Sequence, residues 1–221
     1  MRGCLVALEG GEGSGKSTQA VLLAKHLGAV LTREPGGCEL GEGIRRLLLD
    51  QGAGNLDTRA EALLFLAARA QHVSELILPA LTAGRWVVAD RFVGSTLAYQ
   101  GYGKQLGLTE LASVSTWATC GIVPDLSVLI DITPELLERR VSARGGTRDR
   151  FEIEGSDFHK RVLSGYRELA RSDPEHWEVV AGSGSVDEVA SEILAVVTAR
   201  LGLAPDKRAL LAREEKESTD G

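Results

Sequence analysis

The chain of 221 residues predicts an α/β fold on a parallel sheet, and three features say so. Short apolar runs alternate with longer segments of helical periodicity, the order in which strands and crossover helices of a parallel sheet occur. The first apolar run leads directly into a glycine-rich turn that opens a helical segment. No internal repeat or linker divides the sequence, so one domain is expected over residues 1–203.

Five apolar runs predict the strands: Cys4–Glu9, Ala29–Thr32, Trp86–Ala89, Leu126–Ile132 and Glu178–Ala181. Apolar residues at i, i+3 and i+4 predict helices at Lys16–Leu27, Leu40–Asp50, Thr58–Ala83, Ser95–Tyr99, Glu110–Thr119, Pro134–Ala143, Asp157–Arg171 and Val186–Leu201. Thr58 with Glu61, and Ser185 with Glu188, have capping-box spacing, in which each side chain bonds a backbone N–H the helix leaves unpaired. Thr133-Pro134 offers an N-cap followed by proline at the first helical position, where no N–H is needed. Residues 204–221, with Arg213-Glu214-Glu215-Lys216-Glu217, lack an apolar face worth burying and are expected to be a charged tail, disordered at its end.

Composition excludes several classes. Hydrophobic residues at 43% and charged residues at 25% are those of an ordinary globular protein, and no run nears the roughly 18 apolar residues of a membrane helix. The N-terminus enters a strand pattern without a signal-peptide apolar region. Cys4, Cys38 and Cys120 are scattered and odd in number, which argues against a disulfide framework or zinc site and fits a cytoplasmic location. A net charge of −6 argues against nucleic acid as a partner, since polyanion binding needs a basic surface, whereas a small phosphorylated ligand needs only local positive charge.

That local charge has an obvious seat. Gly10-Gly11-Glu12-Gly13-Ser14-Gly15-Lys16-Ser17 has the spacing G-x-x-x-x-G-K-[ST], with a strand before it and a helix after it. The glycines let the backbone wrap phosphate oxygens with N–H groups pointing inward, and the helix N-terminus adds partial positive charge. Lys16 is expected to reach the β- and γ-phosphates of a nucleoside triphosphate, and the Ser17 hydroxyl to ligate Mg²⁺.

Other residues narrow what is done with the triphosphate. The only asparagine, Asn55, is followed by Leu56, so the guanine-reading N-K-x-D of Ras-type GTPases is absent. The third strand ends in Asp90-Arg91 rather than the Asp-Glu of water-activating ATPases. Arginine beside a magnesium-associated Asp90 suits an enzyme that must hold a second, acceptor phosphate against the γ-phosphate, because guanidinium grips phosphate bidentately. A second basic cluster, Arg139-Arg140 with Arg144-Gly145-Gly146-Thr147-Arg148-Asp149-Arg150, reads as an arginine-rich lid over about residues 144–152. Closure excludes water, and cationic donors on the transferring group are worth on the order of 10³ or more in rate.

With these segments in view, the sequence from about Leu5 to Leu201 resembles the bacterial thymidylate kinases, P-loop nucleoside monophosphate kinases. The matching stretches are Leu8-Glu9-Gly10 through Lys16-Ser17-Thr18, Thr32-Arg33-Glu34-Pro35-Gly36-Gly37, Leu63-Leu64-Phe65-Leu66-Ala67-Ala68-Arg69-Ala70-Gln71-His72, Asp90-Arg91-Phe92 with Ser95-Thr96-Leu97-Ala98-Tyr99-Gln100-Gly101, and Arg148-Asp149-Arg150-Phe151-Glu152. The resemblance implies ATP-dependent phosphorylation of dTMP to dTDP, on the route to dTTP for DNA synthesis, and a homodimer. It implies that Phe65 stacks on thymine and Arg69 donates to O4, a pairing that would oppose the amino group of cytosine with an unsatisfied donor. Arg91, with Arg45 as a helper, matches the acceptor-phosphate arginine, and Glu12 the carboxylate directed at the 3′-hydroxyl. Thr96, Tyr99 and Gln100 match the nucleoside pocket, with Tyr99 crowding a ribose 2′-hydroxyl. Gly13 stands where the human-like subtype carries an arginine, so this chain resembles the subtype whose lid supplies the catalytic cations, from among Arg144, Arg148 and Arg150. Cys38 and Gly94 depart from the family pattern, where threonine and aspartate or leucine are common.

Two rivals remain at this level: a kinase of the same fold acting on UMP, CMP, AMP or a non-nucleotide, and a non-catalytic nucleotide-binding module. The second would be marked by lost phosphate ligands or lid arginines, and none is lost.

Overall fold

Strands β1 (Leu5–Glu9), β2 (Val30–Arg33), β3 (Val87–Asp90), β4 (Leu126–Asp131) and β5 (Trp177–Ala181) form one all-parallel sheet in the order β2-β3-β1-β4-β5. This computed structural model describes residues 2–50, 56–144 and 149–202. Every predicted strand is present within a residue of its expected bounds. The central strands are apolar on both faces, as a sheet sandwiched between helices requires. The expected tail over 204–221, and residues 145–148 of the lid, lie outside the described residues.

Side chains alternate across β1, and each face has its own helical layer. Val6 and Leu8 join Val88, Val128 and Ile130 in a core closed by α1 (Lys16–Leu27) and α9 (Val186–Leu201). Leu5 and Ala7 face the other way, toward Val73, Ile77, Leu81 and Phe92. On that same side Leu129 meets Tyr99, Phe158 and Tyr166, the last two from α8 (Ser156–Ser172). The two-residue period therefore points Glu9, the last residue of β1, into the layer that holds Phe92, Tyr99 and Tyr166. The remaining helices are α2 (Glu39–Leu49), α3 (Thr58–His72), α4 (Leu78–Thr82), α5 (Val93–Thr96), α6 (Leu108–Ala118) and α7 (Pro134–Arg144).

The long helix expected over Thr58–Ala83 is not uniform. A widened π-helical turn, Val73–Ile77, separates α3 from α4. It directly precedes Leu78-Pro79, where the proline ring supplies no N–H and would crowd the carbonyl four residues back in a regular helix. The short helix expected at Ser95–Tyr99 is likewise α5 followed by a π-helical segment, Leu97–Gly103, that carries Tyr99 and Gln100.

The capping expectations divide. Ser185 and Glu188 form the reciprocal box at α9, and Thr133 Oγ1 accepts from the Leu136 amide beside Pro134. Thr58 and Glu61 do not form one. Asp57 caps α3 by accepting from the Arg59 amide, and Glu61 turns inward to Gln100 and Arg150, since a buried carboxylate gains more from two strong donors than from one exposed amide. Cys38, the departure from threonine, is the N-cap of α2: its Sγ accepts from the Gly41 amide at 3.3 Å.

Sulfur is a weak acceptor, so Cys38→Thr is expected to stabilise the fold by about 0.5–1 kcal/mol. Thermal unfolding should show a rise of about 2–4 °C per kcal/mol at this chain length; an unchanged or lower Tm would contradict the capping role.

Candidate active site

The register Leu8↔Asp90 brings the carboxyl ends of β1 and β3 level, so the loop after β1 and the turn after β3 stand side by side. From β1 the chain crosses to β2 and β3 on one side and reaches β4 on the other, and the crevice at such a switch point is where open α/β sheets bind ligands.

In the loop, Gly10, Gly13 and Gly15 adopt φ of 145°, 68° and 92°, and a side chain at Gly10 would meet the Ile130 carbonyl oxygen at 2.7 Å. Lys16 Nζ folds over the loop to the Gly11 carbonyl (2.7 Å) and Ser14 Oγ (3.3 Å). Burial, with Arg91 nearby, pushes the Lys16 pKa down to about 8, against the pull of Glu12, Asp90 and Glu9. Ser17 Oγ donates to Asp90 Oδ2 at 2.5 Å, which joins the two residues expected to hold a divalent cation. Thr18 continues the wall of the cleft.

Arg91 is the centre of the turn after β3. Its φ of 74° lies in the left-handed region, which costs a residue with Cβ about 1–2 kcal/mol. Its guanidinium is held from several sides: Nη2 donates to Glu12 Oε1 (2.6 Å) and Tyr99 Oη (3.2 Å), and Nη1 to Gly10 O (3.1 Å), Ser95 Oγ (3.1 Å) and Tyr166 Oη (3.0 Å). It also lies over the Tyr99 ring at 4.9 Å. Burial alone would raise the Glu12 pKa, but Arg91, Lys16 and the Tyr99 hydroxyl hold it down to about 2. Burial would also disfavour the Arg91 cation, yet Tyr99, Glu12, Tyr166 and Asp90 hold its pKa well above the ordinary value.

Two cavities meet at this ion pair. One, of about 560 Å³, is lined by Phe65, Arg69, Thr96, Tyr99 and Gln100, the residues expected to hold a nucleoside, with Phe151. The other is an open cleft of about 1830 Å³ along Gly13, Gly15, Lys16, Ser17 and Thr18 to Asp90. Glu12, Glu34, Arg45, Arg91 and Asp149 line both. Arg69, 2% exposed, is locked by Glu34 (Nε, 2.6 Å), Thr96 Oγ1 (Nη1, 2.9 Å) and the Phe92 carbonyl (Nη2, 3.0 Å). Glu34 also meets His72 Nδ1 at 3.0 Å, and Thr32 meets the other ring nitrogen at 2.6 Å. Arg45 donates to the Pro35 carbonyl at 2.8 Å.

The lid arginines do not all stand as expected. Arg144 closes α7, and Arg148 lies outside the described residues. Arg150 does not aim at the phosphate cleft: Nη2 donates to Glu61 (2.7 Å) and Nε to the Leu48 carbonyl (3.1 Å). Glu61, 2% exposed, is a desolvated carboxylate whose neutralisation outweighs projection of that guanidinium into the cleft. Arg140 on α7 lines the cleft instead and donates to the Gly13 carbonyl at 3.3 Å. The sequence placed Arg140 only in a general basic cluster. Glu9, Tyr166 and Asp149 also went unassigned, since nothing in their local sequence says which distant residues they meet.

A family model described as Thymidylate kinase matches residues 8–193. The chain belongs to the thymidylate kinase family. It is 47% identical over 203 residues to the thymidylate kinase of Solidesulfovibrio magneticus, covering 87% of this chain and 97% of that one. With the thymidylate kinase of Carboxydothermus hydrogenoformans it shares 48% identity over 198 residues, 87% and 96% of the two chains. The crystal structure of thymidylate kinase from Ehrlichia chaffeensis superposes with a TM-score of 0.72 at 31% identity, covering 89% of this chain and 99% of that one.

The ion pair of Glu12 with Arg91 has a measurable signature. Because the folded pKa of Glu12 is about 2, below the ordinary 4.5, its contribution to stability is complete above about 4.5 and lost as pH falls through about 2. Glu12→Gln is expected to lower Tm near neutral pH, and the gap to wild type should close as pH falls from 4.5 toward 2. A gap that is independent of pH in thermal unfolding would show that the carboxylate is not held ionised by Arg91.

Proposed function

We propose that the chain phosphorylates dTMP to dTDP at the expense of ATP, one step short of dTTP, and that the two cavities hold the two nucleotides with their phosphates meeting at Arg91. The observation that carries this reading is the shared wall: five residues border both chambers, among them the arginine with a fixed guanidinium and the carboxylate beside it.

In this reading the triphosphate lies on Gly10–Thr18, and Lys16 exchanges its bond to the Gly11 carbonyl for phosphate oxygens. Arg91, with Arg45, holds the acceptor phosphate in line with the γ-phosphorus. An acceptor oxygen attacks that phosphorus, the bond to the bridging oxygen of the β-phosphate breaks, and ADP leaves without a covalent enzyme intermediate. Lys16, Arg140 and the lid arginines Arg144 and Arg148 meet the charge that develops. Glu12 stays ionised and accepts from the 3′-hydroxyl. Thymine stacks on Phe65, with Arg69 donating to O4 and Gln100 and Thr96 beside it. Tyr99 stands where a 2′-hydroxyl would project.

Ser17 and Asp90 present hard oxygen ligands, and among the described residues no cluster of three or more His, Cys, Asp or Glu could cage a metal, which suits Mg²⁺ shared with phosphates and water. Mg²⁺ bound there would neutralise phosphate charge. No described helix is long and apolar enough to cross a membrane; the cytoplasmic location is proposed from membership of the family. A homodimer is supported by the exposed apolar residues of the packed pair α3 and α6: Leu63, Val114 and Trp117, the last 83% exposed.

Lys16→Ala and Arg91→Ala are each expected to remove most dTMP kinase activity while thermal unfolding remains cooperative. In a coupled assay of ATP consumption against dTMP, dUMP, UMP, CMP and AMP, dTMP should be preferred by about tenfold or more over CMP and AMP, and only modestly over dUMP, from which it differs by one methyl. Preference for CMP or AMP would replace this acceptor with another, and near-wild-type turnover in either folded variant would remove the phosphate roles.

A further inference from the structure

One buried acid stands close to the active site without a part in the mechanism. Glu9 is fully buried at the end of β1, where its same-face neighbours Leu5 and Ala7 are apolar. A carboxylate in such a place is costly unless its oxygens are well bonded. Both are, and almost every partner belongs to the turn that carries Arg91. Oε1 accepts from the Phe92 amide (2.9 Å) and the Ser95 amide (3.2 Å), and Oε2 from Ser95 Oγ (2.6 Å) and Tyr166 Oη (3.3 Å).

We propose that Glu9 is the positioning residue for the acceptor-phosphate arginine, fixing both the strained backbone of Arg91 and the hydroxyls that aim its guanidinium. The inference rests on the reading of Arg91 given above. The backbone half of the argument is direct. Arg91 sits at φ 74°, and such a residue keeps that conformation only where its surroundings over-determine it. The two amides that Glu9 Oε1 gathers come from the residue after Arg91 and from the first turn of α5.

The hydroxyl half follows from hydrogen-bond polarity. Burial pushes the Glu9 pKa up, and the Ser95 hydroxyl, Arg91, the Phe92 amide and Arg69 oppose that shift. With donors on both oxygens Glu9 serves as the acceptor, and Ser95 gives its one hydroxyl proton to Glu9 Oε2. That leaves lone pairs on Ser95 Oγ for Arg91 Nη1, at 3.1 Å. Tyr166 Oη, 2.8 Å from Ser95 Oγ, accepts from the same nitrogen at 3.0 Å. A neutral amide in place of Glu9 would use its oxygen on the two backbone N–H groups and turn its NH₂ toward Ser95. Ser95 would then accept from that side and swing its proton toward Arg91, donor against donor.

The departure at Gly94 fits the same device. A Cβ there would stand 2.8 Å from Glu9 Oε1 and 2.7 Å from the Trp177 ring. Glycine leaves the carboxylate room, and the indole closes the space that a larger side chain would fill.

The test separates phosphate holding from general damage by comparing dTMP with thymidine, which lacks the phosphate. Binding of both is measured by calorimetry for wild type, Glu9→Gln, Arg91→Ala and the double variant, together with KM for ATP. Glu9→Gln is expected to weaken dTMP by about tenfold, the scale of a lost bond to a charged group, while thymidine affinity and KM for ATP stay within about twofold. In the Arg91→Ala background the same change should leave the dTMP-to-thymidine ratio where Arg91→Ala put it, because Glu9 would act only through that arginine. Equal loss of dTMP and thymidine in Glu9→Gln, or no loss, overturns the proposal, as does a further drop in the double variant. If Arg91→Ala itself leaves the ratio at the wild-type value, the acceptor-phosphate reading fails and takes the proposal with it. Should Glu9→Gln not fold, Ser95→Ala decides by the same criterion: weaker dTMP with unchanged thymidine sustains the proposal, and any other pattern overturns it.

Discussion

The contact between Arg91 and Glu12, 2.6 Å long and placed where two cavities join, is the interaction around which the rest of the molecule is arranged. An arginine whose neighbours hold it charged and a carboxylate held ionised down to about pH 2 give that junction fixed charges of both signs. The cation suits a phosphate, and the anion suits a sugar hydroxyl. Because both are partly withdrawn from water, their fields are less screened than at an open surface. The cost is a strained backbone at φ 74° and several polar groups taken out of solvent.

The parallel sheet makes this affordable in geometric terms. With β1 in the middle and β3 beside it, the phosphate loop and the Arg91 turn emerge at one level, and the register sets their separation without any long connection. The apolar strands supply a rigid platform, so the charged groups at its edge need no loop flexibility to meet. The widened helical segment Leu97–Gly103 carries Tyr99 and Gln100 onto the wall of the smaller cavity.

Charge is also distributed by pairing. Glu34 locks Arg69 and meets His72, while Glu61 holds Gln100 with one oxygen and Arg150 with the other. Each of these carboxylates is buried, and each fixes a residue that lines the smaller cavity. Such networks give a unique geometry because a half-satisfied member would be expensive. They also explain why the capping box expected at Thr58 does not form: Glu61 is worth more inside the domain than at the exposed start of α3. Arg150 is held away from the glycine-rich loop for the same reason, while Arg140 reaches Gly13.

The sequence by itself determined the five strands, the glycine-rich loop after β1 and the family. Those signals are local: alternation of apolar runs, glycines at fixed spacing, and short motifs whose residues must act together. Even the N-cap at Ser185 was legible, because a capping box spans only four residues. Tertiary structure alone decided which carboxylate meets which cation. Glu61 could serve its helix or the interior, Arg150 could reach phosphate or Glu61, and Glu9 at a strand end could point to either face of the sheet. Those choices depend on burial and on partners far away in the chain, since a charge taken from water is stable only where the fold brings an opposite charge or a donor to meet it.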